Sequence, residues 1–400
     1  MKILHTSDWH LGKRLFGHNL REASESFCSW LVGLLEAERV DALLVSGDVF
    51  DSSTPPLWAQ RCYFDVLLKA RELCRAVVVT SGNHDSAEFL EITGIPLREL
   101  GIFVFGRPAE DLTEQVVMVQ NASSEPVGLV AAQPFLHESD LHRGSSLEDI
   151  EALREETYRC AQSRFAELYA ASRALNPERL PVVCMAHLFA VGAKVGEGDG
   201  MRDLAIGGLD AFDCRALAGF DYVALGHVHR AQNVVGEAVR YSGSPLALGF
   251  GDAGAVKTLS IVDVSAGETP IVREIPVPPF VKLARLSGSF AEILERLAEL
   301  TAKGEPVWVE LTLSEPSRGR DLWSEFQQTA QDSPVEILCV HVPDDPAATL
   351  ASCPQQLEEM SPTEVFRKLM EETGVESARR ESLETLFNRF VQELDAGSEK

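Results

Sequence analysis

Positive charge is scarce in this chain: 36 Lys and Arg stand against 61 Asp and Glu in 400 residues, a net charge of −25. Affinity for nucleic-acid phosphates comes mainly from Lys and Arg, so this composition does not grip a polyanion unaided. Local basic patches, bound cations or a partner would have to supply the attraction. Long apolar runs are missing too. No stretch approaches the ~20 residues of a membrane span, and no early segment joins basic residues to an apolar core of signal-peptide length. The eight cysteines (28, 62, 74, 160, 184, 214, 339 and 353) show no Cys-x-x-Cys spacing. Several lie in apolar runs, which suits reduced core residues better than zinc ligands. These absences point to a cytoplasmic protein without a membrane contact.

What the chain does have is a set of short apolar runs that end in metal-ligand chemistry. Ala42-Leu43-Leu44-Val45 leads into Gly47-Asp48-Val49-Phe50-Asp51. A glycine directly before a carboxylate lets the backbone bend sharply and aims Asp48 off the strand's end. Lys2–Thr6 leads into Asp8-Trp9-His10, Ala76–Thr80 into Gly82-Asn83-His84-Asp85, and Val182–Ala186 into His187. Tyr222–Leu225 leads into Gly226-His227-Val228-His229. Runs so uniformly apolar read as interior strands covered on both faces, and ligands in open α/β sheets collect at strand carboxyl ends. Five of the chain's ten histidines fall in these endings. Five unrelated core histidines would be the plain alternative, and the clustering argues against it.

The length suggests two or three domains. Residues 1–278 read as one α/β unit, with amphipathic helices at 20–37 and 57–73 and a third opened by the capping box Ser145-Ser146-Leu147-Glu148. Lys13, Arg14 and Arg21 form a small basic cluster after His10, either a solvated loop or a phosphate contact. The stretch 192–208 holds six glycines and is either a lid or an uncompacted connection. Lys257–Val264 and Thr269–Val277 alternate like an antiparallel pair. Residues 279–343 read strand–helix–strand–helix–strand, a small accessory domain without a chemical cluster. A linker over 344–360 precedes two helices in 361–400. Ser361-Pro362-Thr363-Glu364 starts the first, Gly374 ends it, and the second lines up Leu383, Leu386, Phe387, Phe390, Val391 and Leu394. Such a stripe either docks on the chain's own body or enters a groove of a partner.

Asp, His and Asn ligands without cysteine suit Mn²⁺ or Fe²⁺; Zn²⁺ remains possible and Ca²⁺ is disfavoured by the imidazoles. Six or seven ligands are too many for one open catalytic ion. They suit two ions sharing a carboxylate, an arrangement fitted to in-line displacement on phosphorus. His84 then sits where it could donate a proton to a leaving oxygen.

Taken in order, Asp8-x-His10, Gly47-Asp48-x-x-Asp51, Gly82-Asn83-His84-Asp85, His187 and Gly226-His227-x-His229 resemble the signature of the calcineurin-like metallophosphoesterases. The surrounding details Thr6–Gly12, Ala224–Gln232 and Tyr241-x-Gly243-Ser244-Pro245 narrow the resemblance to the SbcD-type nuclease subunits. The resemblance implies a sandwich of two mixed β-sheets flanked by helices, with a small α+β capping domain and a C-terminal helical pair. It implies one metal on Asp8, His10, Asp48 and His229, another on Asp48, Asn83, His187 and His227, and Asp51 orienting His84. It further implies two Mn²⁺ ions, cleavage of DNA ends and hairpins, and a homodimer within a heterotetramer with an SbcC-like SMC-type ATPase. That ATPase would take the C-terminal helices and much of the DNA grip. The alternative is a stand-alone phosphodiesterase acting on nucleotides or phosphoproteins, for which residues 361–395 would have no use.

Overall fold

The computed structural model describes residues 1–141, 150–195, 211–315 and 322–343, together with Phe366, Met370, Leu383 and Phe387. The capping box at 145–148, the glycine-rich stretch beyond 195, the linker 344–360 and most of 361–400 lie outside the described residues. The chain divides into two compact units, residues 1–13 with 20–283, and residues 14–19 with 284–400.

The first unit is built on two sheets of six strands among the described residues. One contains β1 (Lys2–Thr6), β4 (Ala42–Ser46), β5 (Ala76–Thr80) and β6 (Ile102–Phe105), all parallel, extended antiparallel by β13 (Thr258–Asp263) and β14 (Ile271–Pro276). The other orders β11 (Gln232–Val235), β12 (Val239–Tyr241), β10 (Tyr222–Gly226), β9 (Val182–His187), β8 (Pro126–Ala132) and β7 (Val116–Gln120), parallel in its centre and antiparallel at both edges. The fold is the mixed-sheet sandwich that the motifs led us to expect.

Strand alternation explains why these runs lack polar positions. Ile3, Ala42, Leu44, Ala76 and Val78 of the first sheet pack directly against Val130, Ala132, Val183, Met185 and Ala224 of the second. Their neighbours Leu43, Val45, Val77 and Val79 are equally buried and point to the opposite face of the first sheet. Helices α1 (Arg21–Glu38), α2 (Leu57–Leu73) and α3 (Ala87–Arg98) connect these parallel strands. The outer face of the second sheet is covered by α5 (Ile150–Ala174), which follows the short α4 (Glu138–Leu141) and sets Ala161, Phe165 and Leu168 against Cys184, Ala186 and Leu225. A strand with both faces buried must be apolar at every residue, and at about 1.5–3 kcal/mol per buried aliphatic side chain these runs carry much of the fold's stability.

Among the buried polar residues of these strands, His5 bridges the two sheets. His5 on β1 is fully buried, its Nε2 donating to the Leu225 carbonyl at 3.2 Å and its Nδ1 2.9 Å from the Tyr222 hydroxyl. It ties the two sheets together beneath the ends of β1 and β10. Burial, with the nearby Arg240 charge, lowers its pKa to about 3, so the ring is neutral.

The second unit orders β15 (Leu283–Gly288), β16 (Val307–Leu313) and β17 (Val335–His341) in one sheet, with α6 (Phe290–Lys303) and α7 (Leu322–Ala330) packed on it through Ile293, Leu297 and Phe326. Ser289 caps α6 with Glu292 reaching back, a complete capping box. The hairpin β2 (Arg14–Leu15) and β3 (His18–Asn19) belongs to this unit, an association its sequence did not announce. His18 lies 3.3 Å from Glu336 and its ring packs on Trp308. Farther on, Met370 is buried and the rings of Phe366 and Phe387 stack at 4.1 Å. Part of the stripe read at 383–394 is therefore covered by this chain's own preceding segment.

Candidate metal centre

β1, β4, β5, β9 and β10 run in parallel within their sheets, so their carboxyl-terminal loops gather at one end of the sandwich. Here the backbone is bent in ways L-residues avoid: Asp8 (φ 54°), His10 (φ 44°), Asp48 (φ 48°) and His227 (φ 104°) all have positive φ. Each such conformation costs of order 1–3 kcal/mol and persists only when its surroundings impose it. The loops brace one another to do so. Asp8 N donates to Gly47 O at 3.0 Å, His10 N to Asp48 O at 3.1 Å, and Leu11 N to Val49 O at 2.9 Å. Two glycines are dictated by close approach: a Cβ on Gly82 would lie 2.1 Å from Asp48 Oδ1, and one on Gly226 would lie 1.8 Å from Ser46 O.

The side chains these loops carry converge. Asp8, His10, Asp48 and His229 each bring a ligand atom within 4.8 Å of the others, and Asp48, His187 and His227 do the same. Asp48 belongs to both groups. Within the first, His10 Nε2 lies 3.1 Å from His229 Nε2 and 3.6 Å from Asp48 Oδ2. Within the second, His187 Nε2 lies 3.3 Å from Asp48 Oδ2 and 3.1 Å from Asn83 Oδ1, which is 3.0 Å from His227 Nδ1.

Which nitrogen points inward is settled by bonds on the outside. His187 donates Nδ1–H to the Ser46 carbonyl at 3.0 Å, and His10 Nδ1 faces Asp51 Oδ1 at 3.1 Å. In each ring Nδ1–H is thereby held by an outside acceptor and Nε2 is turned toward the other ligand atoms, as in histidine metal ligands generally. Lone pairs of imidazole, carboxylate and amide oxygen crowded at about 3 Å repel unless a proton or a cation lies among them. The donor set fits divalent cations of intermediate softness on this ground.

The electrostatics agree. Burial alone would lower the His187 pKa, but the Asp48 carboxylate overrides it and raises the value to about 9. Burial would raise Asp48, yet the charges of His187, His84 and His10 hold it well below the usual carboxylate range. Asp8 is raised by burial and by the like charge of Asp48, and His227 is lowered to about 3 by burial and the His187 charge. Positive charge on His187 is thus favoured beside the Asp48 carboxylate.

His84 lies at the edge of this cluster, half-buried, its backbone N donating to Asp48 Oδ1 at 3.0 Å. Its Nδ1 donates to the Asp51 backbone carbonyl at 3.2 Å, and its ring stands edge-on to His10 at 4.8 Å. Asp51 thus meets His84 through its main-chain carbonyl, and its carboxylate, grouped with ring nitrogens of His10 and His84 within 4.8 Å, lies 3.1 Å from His10 Nδ1 and 3.2 Å from Lys13 Nζ. Lys13 is less exposed than a solvated loop would leave it. It is nearly buried and lies against Asp51, because the turn after His10 folds it inward. Arg14 is exposed and donates to Gly17 O at 2.8 Å; Arg21 pairs with Glu25 at 2.7 Å and its guanidinium lies 5.9 Å over the Trp58 ring.

Several supporting residues were not singled out from sequence. Ser7 bonds Asp8 and also Ser242, 2.8 Å away. Asp85 accepts from Gly82 N at 2.8 Å, Phe50 N at 2.9 Å and Val49 N at 3.2 Å, clamping the Asp48 loop to the Asn83 loop. Phe135 and Phe189 pack edge-on to His187 and His227. Only Asp85 left a sequence signal, an aspartate three residues after a strand-end glycine.

The profile of the Calcineurin-like phosphoesterase family matches residues 1–231, and that of the Type 5 capsule protein repressor C-terminal domain matches residues 279–374. The SbcD chain of nuclease SbcCD from Escherichia coli K12 is 30% identical over 401 residues, covering 98% of each chain. The SbcD chain of nuclease SbcCD from Rhodobacter capsulatus is 36% identical over 323 residues, covering 76% of this chain and 77% of its own. The chain belongs to the SbcD family. Among solved structures, a dimetal phosphatase from Danio rerio overlaps at 11% identity with a TM-score of 0.40, covering 70% of this chain and 96% of its own. As an SbcD-family member, the chain is a metal-dependent phosphoester hydrolase of the nuclease type, and side chains that could hold metal ions are gathered at the loop end of the sandwich. Among the described residues no helix is long and apolar enough to cross a membrane.

Proposed function

We propose that this chain is the nuclease subunit of an SbcCD-type complex in the cytoplasm, hydrolysing DNA phosphodiester bonds at double-stranded ends and in single strands or hairpins. The observation that carries the reading is the membership of Asp48 in both ligand groups. Asp8, His10, Asp48 and His229 would hold one cation, and Asp48, Asn83, His187 and His227 the other, with Mn²⁺ favoured by the mixture of oxygen and imidazole donors. Bound there, the pair supplies Lewis-acid charge to phosphoryl oxygens and acidifies a water at neutral pH.

The chain's own residues do the rest. Asp51 and Ser46 keep protons on the outer nitrogens of His10 and His187, so the inner nitrogens stay available. The Asp51 carbonyl holds a proton at His84 Nδ1, leaving Nε2 to deliver a proton to the departing oxygen. The net charge of −25 means that DNA attraction rests on the cations and on a partner, for which an SbcC-like SMC-type ATPase binding residues 361–400 is the candidate. The nuclease chain acts as a homodimer in that assembly.

The test is purification with and without the ATPase subunit, then assay of end-labelled duplex and hairpin DNA in Mn²⁺ with and without ATP. Removing residues 361–400 should abolish ATPase binding while leaving hydrolysis of a small phosphodiester intact. Equal activity of full-length and truncated chains on every substrate would favour a stand-alone phosphodiesterase.

A further inference from the structure

The loop that carries His227 and His229 is fastened from outside by a partly buried ammonium group. Lys257 stands just before β13, its side chain 12% exposed. Its Nζ donates to Asp252 Oδ1 at 2.6 Å, to Ser244 Oγ at 3.0 Å and to the His229 carbonyl at 3.2 Å. An ammonium has three donors, and here each has an acceptor. The same carbonyl receives Ser244 N at 3.1 Å, so the backbone of His229 is pinned from two directions. Asp252 is itself fixed by Leu248 N at 3.0 Å.

A positive charge this close to a cation site works against cation binding by Coulomb's law. Asp252, its side chain 9% exposed, offsets that charge. What remains is the geometric effect on a loop that needs support, since His227 has a φ of 104° and His229 must meet His10 at 3.1 Å. Resting on the two-cation reading above, we propose that Lys257 is a positioning residue for the metal centre, holding His229 in place through its carbonyl. The rival is a plain structural ion pair that closes the turn before β13.

The pair also borders an open cavity of about 490 Å³ lined by His229, Arg230, Ser244, Asp252 and Lys257 among others, which would admit a small amine. Mn²⁺ titrations of the full chain by calorimetry and electron paramagnetic resonance decide between the readings. Lys257→Ala should lose roughly 10–100-fold in affinity for one of two Mn²⁺ ions, the usual range for a lost supporting bond to a ligand, and keep the other. Lys257→Arg should restore most of the loss, and propylammonium added to Lys257→Ala should restore part of it. Wild-type affinity for both ions in Lys257→Ala, even with a lowered melting temperature of the cation-free protein, would overturn the inference. If Lys257→Ala does not fold, Asp252→Asn decides, with one weakened Mn²⁺ site expected and two unchanged sites contradicting. A wild-type chain that failed to take two Mn²⁺ would instead sink the two-cation reading on which this rests.

Discussion

His187 Nε2 and Asp48 Oδ2 lie 3.3 Å apart, and the His187 pKa stands at about 9 against an ordinary 6.5. At neutral pH the cation-free site therefore carries a proton that an entering cation must displace. The cation-free state binds more protons, so cation affinity rises with pH until His187 deprotonates near pH 9. Between pH 6 and 8 the apparent affinity of the site containing His187 should improve by up to about tenfold per pH unit. Calorimetry in buffers of different ionisation enthalpy should show about one proton released per ion bound at that site.

His84 donates through Nδ1 to a backbone carbonyl and through its main-chain N–H to Asp48, while its ring stands edge-on to His10 at the rim of the cluster. His84→Gln should then keep both Mn²⁺ sites and lower kcat by roughly 10²–10⁴, the usual worth of a general acid. The measurement is Mn²⁺ stoichiometry beside turnover of a phosphodiester with a poor leaving group. A leaving group that needs no proton should narrow the deficit.

The Asp51 carboxylate serves His10 and Lys13 together. Asp51→Asn should weaken the Asp8/His10/Asp48/His229 site by about 10–100-fold. Asp51→Ala should also leave Lys13 without this partner, costing about 2–3 kcal/mol of stability after allowing for the pair's partial exposure. Denaturant unfolding of the cation-free variants separates the two effects, and the double variant Asp51→Ala/Lys13→Met should regain stability without regaining affinity.

His5 gives the fold a pH dependence of its own. Its folded-state pKa is about 3 and its unfolded value about 6.5, so between these limits the unfolded chain binds the extra proton. The stability it contributes is fully present above pH 6.5 and is lost as pH falls toward 3, at up to about 1.4 kcal/mol per pH unit. Melting temperatures of the wild type and His5→Gln, followed from pH 7.5 down to 5, should converge as the pH falls.

Much of this site was legible in the sequence because its ligands sit where strands stop. Asp8, Asp48, Asn83, His187 and His227 each lie within a few residues of the end of an apolar run, and the rigid sheets convert that nearness into proximity. The accessory strands and helices were legible for a similar reason, since the Ser289 capping box and the apolar strand Val307–Leu313 are local signals. Other features depend on contacts that local sequence does not encode. Lys13 looks like a surface cation until the turn after His10 folds it onto Asp51. Lys257 is twenty-eight positions from the His229 carbonyl it supports, and nothing in its neighbours marks it. The hairpin at Arg14–Asn19 has the polar look of a loop, and its place in the second unit comes from pairing with Glu336 and Trp308.

Anomalous diffraction from crystals grown with Mn²⁺ tests the central claim most directly. The account predicts two peaks about 3.5–4 Å apart, both within bonding distance of Asp48, with His10 and His229 on one and His187 and His227 on the other. A single peak, or two peaks that do not share Asp48, would contradict it.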